Sequence, residues 1–215
     1  MIARTIRAAC AALSLILAAS AAVPAAAATS PHRATVVFSG GCFWGVEAVF
    51  DSVKGVQSAV SGYSGGAKVT AHYDIVSTGL TGHAESVEVT YDPSVVSFEK
   101  LLDVFFYVAH DPTEKDYQGP DHGTQYRSAI FYTTADQKRA AQAEIERLTT
   151  SKAYAAPIVT QVVPLTAFYA AEGYHQHFLE KNPDYPYIVA NDLPKLKVLA
   201  SKYPALLKLH SLARG

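Results

Sequence analysis

The distribution of apolar residues predicts an α+β fold, a mixed sheet with helices packed on it. Two observations lead there. Strand-like and helix-like stretches alternate along most of the chain. Two neighbouring strand-like stretches, residues 57–63 and 85–91, have no helix between them, which breaks the strict alternation of an all-parallel sheet. Strand order does not follow from this pattern.

Taken in order, residues 34–38 (Ala-Thr-Val-Val-Phe) read as a short buried strand stopped by Ser39-Gly40-Gly41. Phe43, Val46, Val49 and Phe50 then recur at helical spacing, with Glu47 and Asp51 between them. This is a strand, a glycine turn and a helix. Residues 57–63 form a second strand, followed by a loop around Ser64-Gly65-Gly66. Residues 85–91 alternate strictly and end at Asp92-Pro93, as a half-buried strand does. An apolar-rich helix is expected over 98–110, with Ser97 as its cap. Residues 111–125 are polar and rich in turn formers, hence a loop. A strand at 128–132 leads to Thr134-Ala-Asp-Gln137, whose spacing is that of a capping box opening a helix to about residue 149. A strand over 158–163 and a short helix over 172–181 follow. The tail, 193–210, has helical apolar spacing interrupted by Pro204.

The start of the chain reads differently. Arg4 and Arg7 precede an apolar run from Ala8 to Ala19, and Pro24 is followed by small residues ending at Ala26-Ala27-Ala28. A basic start, a short apolar core and an A-x-A pattern mark a secretory signal peptide over residues 1–28. The run is shorter than the roughly 20 residues a spanning helix needs. The expectation is export to the periplasm or the medium, with no stable membrane association. The remaining 34–210 segment suits a single domain with a sizeable core, and a monomer is expected. A formal net charge of −1 points to neither a nucleic acid nor an acidic surface as partner. The 13 tyrosines hint at an aromatic-lined site.

Cysteine usage is the sharpest constraint. Of the 2 cysteines, Cys10 falls within the signal, which leaves Cys42 alone. An exported protein normally pairs its cysteines, so an odd one indicates a reactive thiol or an intermolecular bridge. Cys42 follows Gly40-Gly41 at the predicted start of a helix, where free N–H groups and the helix dipole favour an anion. The glycines allow a sharp turn that presents the sulfur, and Phe43 and Trp44 set aromatic surface beside it. A buried, inert cysteine at a helix start would share this spacing.

Three stretches narrow the choice. Gly41-Cys42-Phe43-Trp44-Gly45-Val46-Glu47 resembles the nucleophile motif of the A-type peptide methionine sulfoxide reductases. Thr81-Gly82-His83-Ala84-Glu85 and Asp121-His122-Gly123-Thr124-Gln125-Tyr126-Arg127-Ser128 agree with the same family in order and separation, and the similarity covers roughly residues 36–194. The resemblance implies a two-layer α/β sandwich of ferredoxin-like type. It also implies reduction of methionine-S-sulfoxide, in oxidised proteins or peptides and in the free amino acid, without a bound cofactor or metal. Carried onto this chain, Cys42 attacks the sulfoxide sulfur and is left as a sulfenic acid. Phe43 and Trp44 form the pocket for the S-methyl group. Glu85 is the acid facing the sulfoxide oxygen, assisted by Tyr73 and Tyr126, and Asp121 helps bind and orient the substrate backbone. To donate near neutral pH, Glu85 must hold its proton, which an apolar aromatic pocket favours.

The chain departs from many members in its tail. After Asn182-Pro183-Asp184 it reads Tyr185-Pro186-Tyr187-Ile188 and carries no recycling cysteine. Recycling of Cys42 is therefore expected from an external thiol reductant, a thioredoxin-like protein or a glutathione/glutaredoxin donor. Other classes share parts of the pattern. His83-Ala84-Glu85 with His110, His122 or His175 has the composition of a two-histidine, one-carboxylate iron site. His175 and His177 look metal-like but read as surface residues, because i and i+2 on a helix do not face each other. Cys42 with a histidine would also suit a hydrolase. A non-catalytic module that binds methionine-containing peptides would need only the aromatic pocket.

Overall fold

The computed structural model of the chain describes residues 1–2 and 32–208. Apart from its first two residues, the segment read as a signal peptide lies outside the described residues, as does the end of the predicted tail helix. Contacts divide the chain between Ser30 and Pro31, and the described strands and helices all lie in the second unit.

Strand β1 (Ala34–Ser39) runs through Gly40-Gly41 into helix α1 (Phe43–Asp51). β2 (Val56–Ser64), a loop carrying the short α2 (Tyr73–Val76), and β3 (Ala84–Tyr91) follow. Then come α3 (Phe98–Val104), the two-residue strands β4 (Tyr117–Gln118) and β5 (Asp121–His122), and β6 (Ala129–Tyr132). The chain continues through α4 (Ala135–Thr150), β7 (Gln161–Pro164), β8 (Phe168–Ala170), α5 (Phe178–Lys181) and α6 (Leu193–Lys202). Six strands form one sheet in the order β7-β6-β1-β3-β2-β8. The β6–β7 pair is parallel and the others are antiparallel, so the sheet is mixed and the fold α+β.

Alternation along β1 sorts its side chains between two cores. Val36 and Phe38 enter the main core, while Val37 joins Ala84, Ala129 and Phe131 in a smaller cluster. Phe38 stacks on Phe50 of α1 and on Phe105 after α3, each with ring centroids 4.7 Å apart. Such pairs contribute about 1 kcal/mol beyond the area they bury. They fix α1 over the ends of β1 and β3, which is what places the site. On β3, Val87 and Val89 belong to the main core, and Glu85 shares their face by the period of two. Tyr63 of β2 lies opposite Glu85 in the register.

Several elements differ from the sequence reading. The helix expected over 98–110 is α-helical only to Val104 and widens into a π turn over Phe105–Ala109, with His110 extended beyond it. Buried His110 explains the break, since its Nδ1 lies 2.9 Å from the Phe105 carbonyl and its Nε2 2.7 Å from Ser128 Oγ. The expected loop 111–125 contains the β4–β5 ribbon. β7 starts at Gln161, three residues later than predicted. β8 was not anticipated, and most of the helix expected over 172–181 is a series of turns, with α5 only its last part. There the Gln176 side chain bonds the backbone of Ser61 and Ala171, pulling the segment onto the sheet edge instead of into a helix. Thr134 does cap α4, accepting from Gln137 N at 3.2 Å, but the Gln137 amide oxygen returns to Thr133 N at 2.7 Å. Among the described residues no helix is long and apolar enough to cross a membrane.

Candidate active site

Cys42 sits one residue before α1, at its cap. Gly41 has φ +90, and a Cβ there would come within 2.6 Å of Gln118 Cγ, so the turn excludes any other residue without rearrangement. The turn does not leave the sulfur standing free, as the sequence reading had it. Cys42 is 9% exposed, at the bottom of a cleft. A cavity of about 200 Å³ is lined by Cys42, Phe43, Trp44, Tyr73, Glu85, Asp121, Tyr126, Tyr185 and Tyr187. All seven residues singled out from the sequence thus meet at one place, drawn from segments up to 84 positions apart (126 − 42).

Backbone hydrogen bonds explain how they meet. The Phe43 N–H donates to Glu85 Oε2 at 3.1 Å, joining the residue after the thiol to the acid. Ser39 Oγ lies 2.7 Å from the Glu85 carbonyl and 2.9 Å from that of Arg127, locking the ends of β1 and β3 to the entry of β6. The Arg127 guanidinium donates to the carbonyls of Gly82, His83 and Thr124, which holds the turn bearing Tyr126 against the start of β3. Tyr73 is held through its backbone N–H, 3.0 Å from Glu172 Oε1, while Glu172 Oε2 accepts from the Tyr63 hydroxyl at 2.7 Å. Asp121 accepts a short hydrogen bond from the Tyr187 hydroxyl.

Charge in this cavity is unwelcome. Glu85 is 2% exposed. Burial, against the opposing Phe43 N–H and with help from Asp121, pushes its carboxyl up to about 8, so it is mostly protonated at neutral pH. The same burial raises Tyr126 and pushes Tyr73 up to about 12, so both phenols keep their protons. The Cys42 thiol departs from the sequence expectation. Its pKa is raised well above the ordinary value, first by burial and then by Glu85 and Asp192. The Trp44 N–H at the helix start and the Lys195 ammonium do favour the thiolate, but they are outweighed. A helix N-terminus acts on a thiol only as strongly as the rest of its surroundings permit.

The family whose sequence model matches residues 34–205 is described as peptide methionine sulfoxide reductase. The chain belongs to this family. It is 58% identical over 177 residues to the peptide methionine sulfoxide reductase MsrA 2 of Mesorhizobium japonicum, covering 82% of this chain and 91% of that protein. With the MsrA 2 of Synechocystis sp. it shares 53% over 175 residues, 81% and 82% of the two chains. Among solved structures, the reduced form of Mxr1 from Saccharomyces cerevisiae overlays with a TM-score of 0.66 at 33% identity, covering 72% of this chain and 88% of that one. Methionine sulfoxide reductase A of Corynebacterium diphtheriae overlays with a TM-score of 0.63 at 35% identity, covering 72% and 77%. An A-type peptide methionine sulfoxide reductase is an oxidoreductase acting on peptide methionine (S)-S-oxide.

In this reductase three residues of the site went unrecognised in the sequence. Tyr185 and Tyr187 stand edge-on to the Trp44 ring at 6.2 and 6.0 Å, and Phe178 stacks on it at 3.7 Å. The signal available was the dense run of aromatics in an otherwise polar tail. His175, read as a surface residue, is 1% exposed and accepts from Trp44 Nε1 at 3.0 Å. The error came from assuming a helix where the chain turns. His177 is exposed; its backbone N–H donates to Glu47 Oε2 at 2.8 Å and its carbonyl accepts from Lys181 N at 3.0 Å. Among the described residues no three histidine, cysteine or carboxylate side chains come together as the iron-site pattern requires. His83 accepts from Gly66 N at Nδ1 and lies 3.0 Å from the Ala67 carbonyl at Nε2, so it braces a loop.

Proposed function

We propose that the chain reduces methionine sulfoxide through Cys42, in oxidised proteins and in the free amino acid, with Glu85 as the acid that serves the sulfoxide oxygen. The observation that carries this reading is the shared cavity, which brings the Cys42 thiol, the Glu85 carboxyl raised to about 8 and the phenols of Tyr73 and Tyr126 together with the rings of Phe43 and Trp44. Burial and Glu85 disfavour the thiolate, and burial and Asp121 disfavour the carboxylate, so the resting pair is neutral and already holds the protons the reaction needs. The S-methyl rests on Phe43 and Trp44, and the oxygen accepts hydrogen bonds from Glu85, Tyr73 and Tyr126, with Asp121 beside the substrate backbone. As the oxygen gains basicity it takes the Glu85 proton, and the carboxylate so formed takes up the thiol proton. In net terms the sulfoxide S–O bond breaks and an Sγ–O bond forms. The substrate sulfur gains the two electrons that Cys42 loses, leaving a thioether and a Cys42 sulfenic acid.

Residues 183–215 hold no cysteine, so the sulfenic acid is returned to the thiol by two equivalents of an external thiol, from a thioredoxin-like protein or a glutathione/glutaredoxin donor, with loss of water. Residues 1–28 act as an export signal, on the basic start, apolar run and A-x-A pattern already described. The order β6-β1-β3-β2, with α1 and α3 as the crossings, is the basis for calling the core ferredoxin-like. The test is a single turnover without reductant. Wild type releases one methionine per chain and takes up one sulfenic-acid trap at Cys42, and Cys42→Ser does neither. Turnover retained in Cys42→Ser would remove the thiol from the reaction.

A further inference from the structure

The reaction as described gives no work to the imidazole buried behind the methyl wall. The His175 ring lies 4.9 Å from Phe43, 5.8 Å from Trp44 and 4.4 Å from Tyr73, centroid to centroid, so it backs both the wall and one of the phenols. Trp44 Nε1 can only donate. His175 Nδ1, 3.0 Å away, must therefore present a lone pair, and the ring proton sits on Nε2. Burial lowers the imidazole's pKa, which favours this neutral form. Nε2 is buried and has no hydrogen-bond partner among the described residues. An unpaired buried donor costs stability, so a side chain that merely filled this space would be apolar. What the imidazole provides and an apolar ring cannot is an acceptor at bonding distance from the indole.

We propose that His175 is a positioning and specificity residue that keeps the Trp44 N–H occupied, so that the methyl wall offers no hydrogen-bond donor to the sulfoxide oxygen. The inference rests on the reading of the cavity as the sulfoxide site. A sulfoxide sulfur is pyramidal, and its two epimers exchange the places of oxygen and methyl. With the indole N–H engaged, Trp44 itself offers the oxygen no donor, which leaves the oxygen to Glu85, Tyr73 and Tyr126 across the cavity. With it free, the wall becomes a second berth for oxygen, and the R epimer can settle there without presenting its oxygen to Glu85.

The discriminating variants follow from atom positions. The amide oxygen of Asn stands where Nδ1 stands, that of Gln one carbon further out, and Phe has no acceptor. Inhibition of S-epimer reduction by the R epimer, and the indole N–H resonance, are measured in wild type, His175→Asn, His175→Gln and His175→Phe. Trp44 is the one tryptophan of the chain, so that resonance needs no assignment. In His175→Phe and His175→Gln, the R epimer is expected to inhibit about tenfold more strongly, the order of effect of one freed buried donor. The indole resonance is expected to move upfield. His175→Asn should keep both wild-type values. If Phe does not fold, the Asn and Gln variants make the same comparison. Wild-type inhibition and an unmoved resonance in Gln and Phe, or an Asn variant as altered as Phe, would overturn the proposal. Failure of the underlying reading has another signature, a wild type that reduces neither epimer while the indole resonance still follows the side chain at 175.

Discussion

Replacing Glu85 with Gln separates its charge from its shape. The amide keeps an oxygen to accept from Phe43 N–H, 3.1 Å away in the wild type, and an N–H₂ to donate toward the cavity. What disappears is titration. The folded protein holds the Glu85 proton to about 8 against a reference value of 4.5, so between those values the unfolded chain binds fewer protons than the native one. Stability therefore falls as pH rises through this window, the sign opposite to that of a salt-bridged carboxylate. Integrated from about pH 5 to about pH 8, the burial of this one group corresponds to a loss on the order of 3 kcal/mol. Glu47, pushed up to about 7 chiefly by burial, contributes in the same direction but does so in both proteins. Urea unfolding of reduced wild type and Glu85→Gln at the two pH values measures the difference. The wild type should lose markedly more stability than the variant. Parallel losses would mean that the carboxyl is ionised in the native state at neutral pH, and the acid role assigned to it would fail. In activity, Glu85→Gln should keep a part, because it can still donate a hydrogen bond, and Glu85→Ala should lose most, up to about 10²–10⁴-fold for a well-placed acid.

Two further predictions rest on the same geometry. Tyr73→Phe and Tyr126→Phe each remove one donor from the oxygen side and should lower kcat about tenfold or more, with the double variant worse than either. A double variant with wild-type kcat would assign the phenols to packing alone. Gly41→Ala should destabilise the fold by about 2 kcal/mol in urea unfolding, because φ +90 is strained for alanine and the new methyl displaces Gln118. The Gln118 amide bonds both the N–H and the carbonyl of Asp111, so the loop behind the site shifts with it. Unchanged stability would show that the turn tolerates a side chain and does not set the position of Cys42.

Local signals carried much of this protein. The strand, glycine turn and helix around Cys42 were legible because alternation, φ-permissive residues and helical spacing are properties of consecutive residues. Six of the seven site residues were legible through three motif stretches, each also local, and Tyr73 only through alignment across the variable loop between the first two. Where side chains from distant segments decide, the sequence is silent or misleading. His110 breaks a helix through a partner 18 positions away, and Gln176 ties a turn to a strand 115 positions away. Burial decides charge in the same way. At the level of sequence Cys42 is a thiol at a helix start, a setting that favours ionisation, yet folding encloses it with Glu85 and Asp192 and reverses the balance. The backbone's choices are written residue by residue. Solvent exclusion belongs to the assembled whole, and it is the largest cause of which of these groups keeps its proton.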